Sequence, residues 1–136
     1  MSAQSCLFCY GTLQLGDVFQ RVCGEKRLAQ TASLADHAAY YLRDQTYPGI
    51  RAEAGKRLPG RLYQGIDIRM WQKLDAFEGE EYQRQSVQVF VPGRGGFLEA
   101  QIYTLKSGSR SQLTHQPWTL QAFRSRHLTT FLQDSF

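Results

Sequence analysis

The residue of this chain whose type and setting point most directly to chemistry is Glu78. It follows Met70, Trp71, Leu74 and Phe77, apolar residues whose spacing predicts one face of a helix turned toward a core. At the C-terminal end of a helix the unpaired carbonyls disfavour negative charge, and apolar neighbours withdraw water. Both effects raise a glutamate pKa above its usual value of about 4.3. A carboxyl tuned in this way can take up and return a proton near neutral pH. The same spacing also allows a glutamate that merely ends the helix at the surface.

A second candidate is Tyr10-Gly11-Thr12-Leu13. The apolar run from Cys6 to Tyr10 reads as a buried first strand that breaks at Gly11. Glycine lets a backbone approach a ligand closely, and successive free N–H groups after a strand can hold an anion or a carbonyl oxygen. An ordinary strand-to-helix connection has the same composition. Tyr82 opens the strand after Glu78, so its hydroxyl could return toward that carboxyl, or its ring could simply pack. Arg84 lies on the same face by alternation, either paired with a carboxylate or at the surface. Glu80 and Glu81, beyond Gly79, read as solvated turn residues.

Other chemistries find little support. Cys6 and Cys9 have a C-x-x-C spacing, but on an extended strand they face opposite ways and read as core thiols. His37, His115 and His127 are scattered, so no metal site is expected. The glycines at 93 to 96 lack the Lys-Ser/Thr of a P-loop, and there is no G-x-S-x-G elbow. No cofactor is called for.

The elements that must position these residues come in runs of strands interrupted by single helices. Asp17 is placed to cap a short helix carrying Val18, Phe19 and Val22, with Gly24 ending it. Arg27 to Leu42 reads as a strand or bent pair of strands, and Tyr47-Pro48-Gly49-Ile50 as a turn. Gly60 to Ile66 alternates as a strand, and Asp67 caps the helix that leads to Glu78. Tyr82 to Val91 and Phe97 to Leu105 form a hairpin around Pro92-Gly93-Arg94-Gly95-Gly96. Lys106 to Gln112 is loop-like, and Pro117 opens a last helix with Leu120, Phe123, His127 and Phe131 on one face. This order predicts an α+β fold with a mixed or mostly antiparallel sheet.

A length of 136 residues with 42% hydrophobic content fits one domain, residues 1–136, with its own core. The net charge is +4, but the 16 Lys and Arg are interspersed with 12 Asp and Glu rather than gathered in a stripe. That pattern argues for solvation and against nucleic acid as a partner. No apolar run approaches the roughly 20 residues of a membrane span. The N-terminal residues lack an export signal and the three cysteines are an odd number. A cytoplasmic, reducing location is therefore expected.

With these segments in place, the sequence resembles the γ-glutamylcyclotransferase-like superfamily, in particular its AIG2-like and γ-glutamylamine cyclotransferase branches. The resemblance rests on the strand ending in Tyr10-Gly11-Thr12-Leu13, on Tyr47-Pro48-Gly49-Ile50, and on Gly60 to Tyr63. It rests also on Leu74-Asp75-Ala76-Phe77-Glu78-Gly79 followed by Tyr82-Gln83-Arg84. It covers residues 6 to 105, and the C-terminal helix with Trp118 and Phe123 is similar to that of many bacterial members. It implies a small β-barrel with flanking helices and a cavity in which residues 10 to 13 bind the glutamyl end of a small-molecule γ-glutamyl substrate through backbone groups. It also implies that Glu78 is the catalytic acid/base, that Tyr82 lines the cavity, and that 5-oxoproline is released without a cofactor. Thr12 stands where the family often has Ser. The interval from Glu78 to Tyr82 is shorter than in the glutathione-related and mammalian γ-glutamylamine enzymes. Two other readings fit the residues: a non-catalytic small-molecule-binding module on the same fold, and a basic nucleic-acid-binding barrel favoured only by a pI near 9.1 and by exposed aromatics.

Overall fold

The computed structural model describes residues 5–136. Its first strand, β1 (Leu7–Cys9), is buried along its whole length. A short 3-10 turn at Thr12–Gln14 leads into α1 (Gly16–Cys23). Gly24 ends that helix in the left-handed region, at φ 77°, as its position predicts. Asp17 is not the cap: it lies in the first turn, where its charge still suits the helix N-terminus, while Leu15 occupies the capping position without a side-chain bond.

Two long strands follow, β2 (Ala29–Leu42) and β3 (Pro48–Tyr63), then α2 (Ile68–Glu78). The hairpin β4 (Tyr82–Val91) and β5 (Gly96–Leu105) turns through Pro92–Arg94, with Gly95 at φ 68°. The chain ends with β6 (Leu113–Pro117), α3 (Leu120–Arg126) and α4 (Leu128–Ser135). Strands run in the order β3-β1-β5-β4-β2, and β2 pairs again with β3, which closes a five-stranded barrel. All its pairings are antiparallel except β1 with β5, where Leu7 sits opposite Gln101, so the barrel is mixed. β6 lies outside the closure, against the end of β2. Among the described residues no helix is long and apolar enough to cross a membrane.

Several local expectations change once the chain closes. Pro48 and Gly49 begin β3 rather than form a turn: proline is tolerated at a strand's first residue, and the reversal falls in the preceding residues, where Gln45 N–H donates to Leu42 O (3.1 Å). β3 ends at Tyr63, before Ile66. The alternation read into that stretch does not survive, because Leu62 and Tyr63 are both buried and Tyr63 stacks on Phe19 of α1 with ring centroids 3.9 Å apart. Pro117 closes β6, and Thr119 caps α3 by accepting from Ala122 N–H at 3.2 Å. The expected single last helix is two, broken at His127.

One buried cluster runs through the barrel interior and the helices, from Phe8 and Leu62 to Val89, Ile102 and Phe123. Its tightest passage lies where β1 leaves the barrel. A Cβ on Gly60 would stand 2.3 Å from Cys9 O and 2.6 Å from Phe8 Cζ. No rotamer change moves a backbone oxygen away, so β3 can pass this close only as glycine. Gly60→Ala should therefore lower stability by about 2–3 kcal/mol, read from the urea midpoint; an unchanged midpoint would show that the strands can separate freely.

Candidate active site

The site is built on the end of α2. Asp67 starts the helix by accepting from Met70 N–H at 2.9 Å, and the buried stripe Met70, Trp71 and Leu74 fastens it to the barrel. Glu78 is its last residue, and Gly79 turns the chain at φ 79° toward β4. Only glycine takes that conformation without strain, so the turn directly after the helix determines where Glu78 stands.

Glu78 is half-buried in the wall of a cavity of about 500 Å³. Tyr10, Gly11, Thr12, Leu13 and Tyr82 line the same cavity, so the structure brings all six residues singled out from the sequence together. The volume is that of a small-ligand site. Among the described residues, no hydrogen bond or ion pair reaches the Glu78 carboxyl. Its pKa is raised to about 8, first by loss of water around the charged form and second by the nearby charge of Asp75. Asp75 is itself held: it accepts from Tyr103 Oη at 2.7 Å and from Arg84 Nε at 2.8 Å, while the Arg84 guanidinium lies 4.5 Å from the centre of the Trp71 ring. Arg84 thus has the carboxylate partner left open by the sequence.

The loop after β1 is unequal in its hydrogen bonding. Tyr10 O accepts from Gln14 Nε2 (2.8 Å), Gly11 O from Gln14 N–H (3.1 Å), Thr12 O from Leu15 N–H (3.2 Å) and Leu13 O from Tyr63 Oη (2.8 Å). Every carbonyl of the segment is occupied. Among the described residues, the amides of Gly11, Thr12 and Leu13 donate to no protein acceptor. Such a segment offers the cavity donors without competing acceptors, which suits a carboxylate or an oxyanion. Gly11 has an ordinary φ of −112°, and its lack of a side chain matters for contact instead: a Cβ would sit 3.2 Å from Pro48 Cγ.

The two tyrosines use their hydroxyl protons on the backbone. Tyr10 Oη donates to Tyr103 O at 2.6 Å, and Tyr82 Oη to Pro48 O at 2.7 Å rather than toward Glu78. Burial, with the charge of Glu78 adding to it, pushes both phenols well above their ordinary range, so they stay neutral walls. Glu81 is not a solvated turn residue: it lines the cavity and accepts from Tyr47 Oη at 3.0 Å. Tyr47, Tyr103, Phe131 and Ser135 also line the cavity; the sequence reads Tyr47 as part of a turn and Phe131 as part of a helix face, and singles out neither Tyr103 nor Ser135. Phe131 of α4 packs edge-on to Phe77 at 6.3 Å, which carries the C-terminal helix to the mouth beside Glu78. Aromatic residues on strands and helix faces signal core packing in general, and a serine at a helix end signals little, so no local feature marked these four as cavity residues. Among the described residues, no group of three His, Cys, Asp or Glu could hold a metal ion.

The profile of one protein family, described as gamma-glutamyl cyclotransferase, AIG2-like, matches residues 7–120. AIG2-like protein D of Arabidopsis thaliana is 28% identical over 130 residues, covering 93% of this chain and 84% of that protein. The solution structure of an Arabidopsis thaliana protein superimposes with a TM-score of 0.72 at 21% identity, over 96% of this chain and 87% of that one. A solved structure named gamma-glutamyl cyclotransferase superimposes with a TM-score of 0.67 at 18% identity, over 75% of this chain and 66% of that chain. The family match runs from β1 through the barrel to the start of α3 and includes Glu78, Tyr82 and residues 10 to 13, so the chain belongs to the gamma-glutamyl cyclotransferase, AIG2-like family.

Proposed function

We propose that this chain is a cofactor-independent γ-glutamylcyclotransferase-type enzyme that releases 5-oxoproline and a free amine or amino acid from a γ-glutamyl amide. The observation that carries the proposal is the Glu78 carboxyl, reached by no hydrogen bond or ion pair among the described residues, in a cavity wall that also contains Gly11, Thr12 and Leu13, whose amides have no protein acceptor among them.

In this reaction the α-amine of the glutamyl group attacks its own γ-carbonyl, a five-membered ring forms, and the bond to the leaving nitrogen breaks. The substrate supplies the nucleophile, so the protein needs no Ser-His-Asp set. Folding the chain so that amine and carbonyl meet supplies on the order of 7–11 kcal/mol in favourable intramolecular cases. The two protons that leave the attacking nitrogen end on the leaving nitrogen, so a single carboxyl can shuttle them and return to its starting state. Glu78 performs that shuttle. An ordinary glutamate would take a proton from an ammonium of pKa about 8 or above at a cost of at least about 5 kcal/mol; a carboxyl raised to about 8 removes most of that. The amides of residues 11 to 13 hold the substrate carboxylate or the oxyanion that develops on the γ-carbonyl.

The reactive complex holds one proton between the amine and Glu78. Glu78 titrates near 8 and the amine, beside the substrate's own carboxylate, above that, so kcat/KM should be highest just above pH 8 and fall tenfold per unit on the acid flank below it; a flat profile between pH 5 and 7 would contradict this. Glu78→Gln should lower 5-oxoproline release by at least about 100-fold with the fold kept. Near-normal turnover would refute the role of Glu78, and ligand-induced thermal stabilisation without product in the parent protein would mark a binding module instead.

The same variant has a stability signature. The folded pKa of Glu78 lies above its unfolded value, so the charged unfolded chain gains on the folded one as pH rises from about 4.5 to about 8. Glu78→Gln should match the parent at pH 4 and exceed it at pH 8 by on the order of 4 kcal/mol. Equal stability at both pH values would mean that the carboxyl is solvated.

A further inference from the structure

The charges around the cavity are one-sided. Its wall contains two carboxyl groups, Glu78 and Glu81, and no Lys, Arg or His among the described residues. The mechanism above uses Glu78 alone. Glu81 lies beyond the Gly79 turn, at the start of β4, and is fastened by the Tyr47 hydroxyl at 3.0 Å, with no ion pair reaching it among the described residues. Tyr47 in turn stands 6.4 Å from Tyr82, ring centre to ring centre, and its own phenol is pushed up to about 12 by burial and by the bond to Glu81. A carboxyl group held in place by a half-buried, neutral phenol, with no ion pair reaching it among the described residues, is a ready partner for a positive group.

A γ-glutamyl substrate fills the glutamyl end of such a cavity with an ammonium on Glu78 and a carboxylate on the loop amides. Whatever leaves must then occupy the remaining wall, which has Glu81 and the apolar faces of Phe77 and Phe131 but no basic side chain among the described residues. A leaving group bearing a carboxylate would be buried there beside a like charge with no counter-ion, an arrangement strongly disfavoured in a cavity. One bearing a distal ammonium would find an opposite charge in a wall shared with the apolar Phe77 and Phe131.

We propose that Glu81, positioned by Tyr47, selects γ-glutamyl monoamides of aliphatic diamines, whose leaving amine ends in an ammonium. This rests on the cyclotransferase reading, and concerns which amide that site takes.

The test compares three substrates of similar length: the γ-glutamyl amides of 1,4-diaminobutane, of n-pentylamine and of 4-aminobutanoate. The purified protein should show kcat/KM at least tenfold higher for the diamine amide than for the pentyl amide, with the carboxylate-bearing amide slowest. In Glu81→Gln the ratio of diamine to pentyl amide should fall to near one. A ratio near one in the parent protein, or a ratio that Glu81→Gln leaves intact, overturns the selectivity assignment. Release of no 5-oxoproline from any of the three overturns the cyclotransferase reading. The selectivity remains measurable in that case, because the binding of the same compounds to Glu78→Gln and to the double variant Glu78→Gln/Glu81→Gln reads it without turnover. A diamine amide bound no more tightly than the pentyl amide by Glu78→Gln would overturn it there too.

Discussion

The structure around the cavity depends on keeping one carboxyl, Glu78, partly out of water with no hydrogen-bond or ion-pair partner among the described residues. A charge placed at the end of a helix, beside apolar residues and another acid, is costly, and the molecule accommodates that cost by holding Glu78 protonated until about pH 8. The stripe that seats α2, the Asp67 cap at its start and the Gly79 turn at its end all fix the position of that group. Asp75 reinforces the effect through its charge. It stays in place because Tyr103 and Arg84 both bond to it, from two neighbouring strands of the barrel.

Opposite this acid, the loop after β1 is made rigid by its carbonyls and left open at its amides. Tyr63 and Gln14 hold the carbonyl side from within the core, and Gly60 lets β3 come close enough to Cys9 for the strand to exit where it does. Packing, hydrogen bonding and the proposed chemistry are therefore linked: the neutral phenols of Tyr10 and Tyr82 bond to backbone carbonyls, which removes them as rival acids and stiffens the wall. Beside a second carboxyl, Glu81, the wall keeps Glu78 and the backbone donors of residues 11 to 13, which is what the proposed ring closure by a substrate's own amine uses.

Much of this was legible in the sequence. The end of a helical stripe identifies Glu78, and a strand broken by glycine identifies residues 10 to 13, because both signals are local. Tyr47, Tyr103, Glu81 and Phe131 are different: they reach the cavity only when β3 and β5 flank β1 and α4 folds back on Phe77, and no single segment encodes its neighbours. β6 escaped notice because it is short and largely polar, an edge strand with little burial to impose a period. The break at His127 escaped because the apolar spacing continues across it, from Phe123 to Phe131, although the backbone does not. Pro48-Gly49 has the composition of a turn but serves a strand start, where Gly49 leaves room for Leu105, whose Cδ1 would lie 2.6 Å from a Cβ.

The central physical statement concerns a single titration. Selective carbon labelling of glutamate side chains, with the Glu78 resonance identified by its loss in Glu78→Gln, would follow that carboxyl directly by NMR as pH is raised in the folded protein. A midpoint near 8 is predicted. A midpoint close to the ordinary glutamate value of about 4.3 would mean that water reaches the group freely, and the account built on its protonation would be wrong.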